Sequence, residues 1–383
     1  MTQSSKIFSL LALLFIGWGL SSCEEIYSGE DDTTPIEMGL VVYPSSYIII
    51  ADGEDEAVLT VKFDGINVTD SSVIYMNKKR MKSNRFSTEK SGDYEVFASY
   101  KGKVSKTVTI KAANPTLYVD LPEDGQKEKF SDFQRKVLVA EGTGTWCGYC
   151  PYMITALEIF RENGSNADKA VIVAMHSGDE FSNAASDAAV APTAKKGFPH
   201  CVFNLNPEII LQNDYPSVTA EKINSMVGME LKEEARVGIT AATAVSKDSA
   251  VVAVRAAIKI GQEGNYRINA WLIEDGVPEY QSSQWPEFSD NKSTVLIDHM
   301  HILRDASCIS PIQGKLLNEK GACKKGETVV FFHEFDVTEA NISNVANCKI
   351  AVIVTATSGT SSTYFVNNIV ECKVGDSVPF AYK

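Results

Sequence analysis

Thr143-Gly144-Thr145-Trp146-Cys147-Gly148-Tyr149-Cys150-Pro151 joins an apolar run over 136–140 to a stretch of helical periodicity over 152–161. The first run, Lys136-Val137-Leu138-Val139-Ala140, reads as a strand buried on both faces of a parallel or mixed sheet. In the second, Met153, Leu157 and Phe160 share one helical face and Gly164 is a stop signal. A C-x-x-C pair between strand and helix reads as a dithiol site. Unsatisfied N–H groups and the helix macrodipole favour a thiolate at Cys147. Three residues make about one helical turn, so Cys150 falls within disulfide reach. Pro151 suits the first turn, whose N–H groups have no helical partner. Trp146 is placed to shield the pair.

Outward from this stretch, 170–175 (AVIVAM) reads as another buried strand. A third, over 198–205, is entered through Gly197-Phe198-Pro199. The spacing predicts a helix over 217–235, with Thr219 as a candidate cap. This succession predicts an α/β unit. Glu141 stands at the end of the first strand, six residues before Cys147, and Pro199 follows Cys147 by about fifty residues.

Together these features resemble the thioredoxin fold. The resemblance implies that Glu141 is a buried proton acceptor for Cys150 and that Pro199 is cis and packs against the dithiol. It implies an envelope thiol–disulfide oxidoreductase acting on protein thiols or disulfides, with Cys147 as nucleophile, Cys150 as resolving thiol, and Trp146 and Pro199 shaping the contact surface. The redox direction stays open, because no proline lies between the cysteines. The stretches EGTGTWCGYCP, GFPHCVFN and DHMHILRDA together resemble the outer-membrane-protein-twenty-eight-related lipoproteins over most of 136–374. His299, His301 and Arg304 match the histidine-and-arginine strand of that family, which implies architecture and envelope location more firmly than an activity.

Plainer readings of the same residues stand beside these. C-x-x-C is half of many zinc sites, but no second C-x-x-C lies near, and 114–235 holds only His176 and His200. Neither a metal nor another cofactor is expected. Glu141 read as a surface carboxylate, Pro199 as a turn proline and Cys147–Cys150 as a structural disulfide make a different class of protein. That protein is a surface binding or scaffold lipoprotein with an inert thioredoxin-like core.

The rest of the chain sets address and architecture. Lys6, the apolar run 7–20 and Leu20-Ser21-Ser22-Cys23 resemble a bacterial lipobox, with residues 1–22 removed and Cys23 lipidated. The apolar run is shorter than the ~20 residues of a membrane-spanning helix. Residues 23–36 form an acidic tether, similar to the signals that send some lipoproteins to the cell surface. The expected address is therefore the outer membrane, reached through a lipid. Short strands at 39–43, 47–50, 57–63, 73–76, 94–100 and 105–111 predict a β-sandwich over 37–113. Its last hairpin resembles an immunoglobulin-like module, with Tyr94 at the position of a tyrosine corner. This module reads as a spacer or as a binding unit. After a linker, the α/β unit occupies 114–235. Strands recur through 236–383 without helix signals, which predicts a second sandwich.

The chain has 383 residues, 44% hydrophobic and 22% charged, which excludes disordered, collagenous and polytopic membrane classes. A net charge of −13 makes nucleic acid a poor partner. Oligomeric state is not legible. Five cysteines remain. Cys348 and Cys372 are equidistant from Thr360 and predict a cross-strand disulfide in a hairpin centred there. Cys308 with Cys323 is a second candidate staple. Cys201 reads as a third thiol near Pro199 or as a small core residue. His299 and His301 alternate, so both are expected on one sheet face, as a structural pair or as metal ligands.

Overall fold

The computed structural model describes residues 39–44, 48–53, 55–113, 117, 119–285, 293–318, 322–357 and 363–383. The expected leader, Cys23, the tether and the turn at Thr360 lie outside them.

Alternating burial along Leu40–Pro44 and Ala57–Phe63 turns Leu40, Val42, Leu59 and Val61 to one side. The two strands pair antiparallel. A second sheet is built on Gly92–Tyr100, which runs antiparallel to Val108–Ala113 and to Val73–Met76. It contributes Ile74, Val96, Ala98 and Ile110 to the same core. The expected sandwich is therefore present. The Tyr94 hydroxyl donates to the Lys90 carbonyl at 2.8 Å, the backward bond of a tyrosine corner.

All seven residues of Val137–Thr143 are buried, because both faces of this strand are covered. It runs parallel to Ala170–His176 and antiparallel to His200–Phe203, which pairs with Asn206–Gln212. Helices α1 (Cys150–Asn163) and α3 (Pro216–Glu230) cover one face. There Met153, Leu157 and Phe160 meet Ile223 and Val227 over Val137, Val139 and Phe203. Each such side chain contributes about 1.5–3 kcal/mol on full burial. The short α2 (Ala184–Val190) covers the other face, capped by Asn183, whose side chain accepts from Ala185 N–H and Ser186 N–H. Thr219 does not cap α3 as expected. The helix starts earlier, at Pro216, and the Thr219 hydroxyl accepts from Asp214 N–H at 2.8 Å.

The sheet does not end at the expected division between 235 and 236. Ile302–Ala306 joins Ala170–His176 through the parallel pair Ala174 and Ile302. Tyr266–Glu274, Cys348–Thr357 and Tyr364–Lys373 follow in antiparallel succession, giving one nine-stranded sheet. Trp271, Ile273, Ala351 and Ile353 share the α2-side core with Leu138 and Val173. A separate four-stranded sheet contains Val237–Val245, Val251–Ile260 and Thr328–Asp336. Val237, Val252, Val254 and Ile258 pack there with Ile268, Leu272 and Val352 of the long sheet, forming the C-terminal sandwich. The whole is a β-rich, multidomain fold with few helices.

Neither expected staple forms, and Cys308, Cys323, Cys348 and Cys372 are free buried thiols. Thr357 pairs with Tyr364, one residue off the expected register, and a bulge between Val354 and Thr355 adds one more, so Cys372 faces Ile350. Cys348 is then a diagonal neighbour, at a spacing of about 7–8 Å, beyond disulfide reach. The Cys372 thiol donates instead to the Asp376 carbonyl at 3.1 Å. Cys308 N–H donates to Asn269 Oδ1, whereas Cys323 pairs with Gly264. Those anchor points are separated by five residues of extended chain, about 15 Å.

Candidate functional site

Cys147 and Cys150 are joined in a disulfide, with Cα atoms 5.4 Å apart. Cys150 opens α1, Pro151 occupies the first turn, and Cys147 lies in the turn just before the helix. Cys147 is 4% exposed and Cys150 fully buried. Trp146 is 52% exposed and lies over the loop. Its Nε1–H donates to the Ser177 carbonyl at 2.8 Å. A Cβ on Gly144 would come within 2.7 Å of that nitrogen, so glycine is required there. The Trp146 ring meets the Phe198 ring edge-on at 5.6 Å, which brings the Phe198–Pro199 turn beside the dithiol loop. The Phe198–Pro199 peptide is cis.

The loop is held from two further sides. Thr145 N–H donates to Asp179 Oδ2 at 2.9 Å, and His176 Nδ1 is hydrogen-bonded to the same oxygen at 2.7 Å. Burial opposes ionisation of Asp179. The bonds from His176, Thr145 N–H and Ser182 outweigh it and hold the pKa near about 2. The second support was not legible in the sequence. A hairpin, Val277–Ser282 with Thr294–His299, reaches back over the motif. Ser282 N–H donates to the Thr145 carbonyl at 2.7 Å and Gln284 N–H to the Gly148 carbonyl at 2.8 Å. The Gln281 amide donates to the Gly144 and Cys147 carbonyls at 3.2 and 2.9 Å. The one local signal was Gly148, where a Cβ would sit 2.8 Å from Gln284 Cγ.

Glu141 is buried and lies opposite Cys201 in the register. Burial pushes its pKa up to about 8. Cys201 is a core residue, its thiol 3.5 Å from Met153 Sδ. Burial and the Glu141 charge raise its pKa well above the ordinary thiol value.

His299 and His301 do not share a face. The strand ends at His299, and His301 adopts a φ of 62°. His299 packs its ring 5.5 Å from His176 and 5.1 Å from Phe181. Burial and then His176 push its pKa down to about 4. His301 Nδ1 instead lies 2.8 Å from Lys349 Nζ and 3.3 Å from Asp275 Oδ1. Arg304 is buried against Glu274, with Nε and Nη2 both 2.8 Å from Oε2. Among the described residues, no group of three or more His, Cys, Asp or Glu side chains could hold a metal ion.

No curated protein sequence matches the chain. Among solved structures, HBP35 of Porphyromonas gingivalis is similar at 15% identity and a TM-score of 0.47, covering 66% of this chain and 79% of its own. A domain of the outer membrane lipoprotein Omp28 from P. gingivalis gives 14% identity and a TM-score of 0.21, over 37% of this chain and 89% of that one. Spo0M, a sporulation control protein from Bacillus subtilis, gives 11% and 0.21, over 39% and 50%. Identities this low carry nothing about activity. The family model for outer membrane protein Omp28 matches residues 194–378. The match takes in Pro199, the clamping hairpin and the C-terminal sandwich, and begins after Glu141, Cys147 and Cys150. It places the protein in the bacterial outer-membrane envelope. Over residues 194–378, just under half of its length, the chain is similar to the Omp28 outer-membrane-protein family.

Proposed function

We propose that the protein is an envelope thiol–disulfide oxidoreductase with a thioredoxin-like α/β unit, tethered to the outer membrane through a lipid on Cys23. One observation carries this reading. The Cys147–Cys150 pair stands at the start of α1, and the strand leading into it holds a buried carboxyl, Glu141, whose pKa lies near about 8. In the reduced form, Cys147 attacks a substrate disulfide as thiolate, giving a mixed disulfide and one substrate thiolate. Glu141 takes the proton of Cys150, and the Cys150 thiolate attacks Cys147 Sγ. The second substrate thiolate leaves, and two electrons have passed to the substrate. Trp146, Phe198 and Pro199 flank the approach to Cys147. The N-terminal sandwich serves as a spacer.

The test is reduction of a protein disulfide by the mature chain. Cys147→Ser abolishes the rate and Glu141→Gln slows it; an unchanged rate in Cys147→Ser would sink the reading.

The near-complete burial of Cys147, under a hairpin that bonds to its loop at four points, favours a second reading. Here the protein is a surface scaffold whose disulfide is structural. This reading expects a strongly negative potential and resistance to mild reductants, so the measured potential separates the two.

A further inference from the structure

A cavity of about 50 Å³ lies between α1, the strands Val137–Thr143 and Ala170–His176, and the Thr294–His299 arm of the hairpin. Three buried polar atoms of its lining have no hydrogen-bond partner: Glu141 Oε1, Thr143 Oγ1 and His299 Nε2. An unpaired buried polar atom costs about 1–3 kcal/mol. Three of them on residues that line one space of this size suit on the order of one to three buried waters.

The chemistry of the lining is complementary. Glu141, held protonated up to about 8 by burial, is a hydrogen-bond donor at neutral pH. His299 is neutral there, and its hydrogen bond is to the Glu279 carbonyl. Because Nε2 is unpartnered, that bond uses Nδ1–H, and Nε2 is a bare acceptor on a residue of the cavity lining. α1 supplies Glu158 and Arg161 to the rim, and Asp298 and His301 flank His299. His176 completes the inner wall, with ionised Asp179 bonded behind it.

We propose that this cavity is a hydrated proton passage for the dithiol, in which His299 Nε2 exchanges a proton with Glu141 through water. The proposal rests on the oxidoreductase reading and deepens it. At rest Glu141 carries a proton, so it must be emptied before it can accept another. Its proton passes through water to His299 Nε2, Asp179 balances the transient imidazolium through His176, and the proton leaves at the rim. The Glu141 carboxylate so formed then takes the proton of Cys150 as Cys150 closes the disulfide. No electron moves along this path. His299 acts through Glu141 and is a relay residue, contributed by a segment about 150 residues from the dithiol.

Two measurements on the mature chain test it. The first is single-turnover oxidation of the reduced protein by a small aromatic disulfide. His299→Ala slows the step in which Cys150 closes the bond by about tenfold to a hundredfold and leaves the first attack by Cys147 unchanged. Added imidazole restores part of the loss. His299→Gln, which keeps a polar group without a titrating nitrogen, is also slow. The second is carboxyl NMR titration of Glu141 in the disulfide form, whose midpoint moves by about half a unit or more in His299→Ala. A wild-type closing rate in His299→Gln, a loss that imidazole leaves untouched, or an unmoved Glu141 midpoint overturns the passage. The failure of the oxidoreductase reading is distinguishable, because it shows in Cys147→Ser alone, whereas the Glu141 titration needs no turnover.

Discussion

The side-chain amide of Gln281 donates to the Cys147 carbonyl at 2.9 Å across 134 residues of sequence. The same amide reaches the Gly144 carbonyl, so one buried side chain from the C-terminal half spans the turn that carries the dithiol. Gln281→Leu leaves both carbonyls without this donor. Each carbonyl keeps a backbone donor, Cys147 N–H on Gly144 and Cys150 N–H on Cys147, so the loss is that of the side-chain bonds, about 0.5–1.5 kcal/mol each. The expected result is a lower urea midpoint and faster reduction of Cys147–Cys150 by dithiothreitol. Equal reduction rates in the two proteins would show that the clamp does not guard the bond.

Glu141 makes stability depend on pH. Its folded pKa of about 8 lies above the ordinary value of 4.5, so between these values the folded state binds more protons than the unfolded state. Its environment imposes no penalty below about 4.5. Stability then falls as pH rises through the window, and the full loss is reached above about 8. Glu141→Gln removes the titrating group and should be more stable than the parent at alkaline pH by roughly 3–5 kcal/mol, with the difference vanishing in acid. Melting temperatures across pH check this; parallel curves would contradict it.

Gly142 lies beside His200, whose two ring nitrogens are engaged by the Gly197 carbonyl and the Thr193 hydroxyl at 2.7 and 2.8 Å. A Cβ at Gly142 would stand 2.4 Å from His200 Cε1, and the anchored ring has little room to yield. Gly142→Ala should cost about 1–3 kcal/mol through overpacking, read as a drop in denaturation midpoint. An unchanged midpoint would mean that the ring moves freely.

Lys259 is nearly buried, with its ammonium paired to Asp124, donating to the Gln126 carbonyl at 2.8 Å and lying 4.9 Å from the Phe130 ring centroid. It ties the linker after the first sandwich to the C-terminal sheet. Lys259→Met keeps the apolar stem and removes the charge, leaving Asp124 without its ammonium partner. A loss of about 1–3 kcal/mol and faster proteolysis around 123–131 are expected, and limited digestion measures the latter.

Thiol counting tests the cysteine assignments. Cys201, Cys308, Cys323, Cys348 and Cys372 are free, so all five should label in the unfolded, unreduced chain while Cys147 and Cys150 do not. Recovery of a Cys348–Cys372 peptide would contradict the hairpin register.

Local chemistry was readable in the sequence wherever it depends on near neighbours. The strand Val137–Thr143, the loop Gly144–Tyr149, the helix from Cys150 and the turn at Pro199 all follow from apolar runs, glycine, proline and cysteine spacing. Burial of Glu141 followed from its place at the end of a continuous apolar strand. The first sandwich was equally legible, because its strands alternate with period two. What sequence could not supply was the choice of distant partners. Apolar periodicity says that Tyr266–Glu274 and Ile302–Ala306 are buried, but not that they extend the sheet of Val137–Thr143. Pairing of Thr357 with Tyr364 sets the strands one residue off the expected register and a bulge adds one more, which moved Cys372 from Cys348 to Ile350, since register depends on every residue between a pair and its turn. His299 and His301 parted because the backbone turns between them, and Gln281 reached the dithiol only through the docking of a hairpin. Short-range propensity wrote the dithiol motif, and long-range packing decided what closes over it, what lies behind it and which thiols stay free.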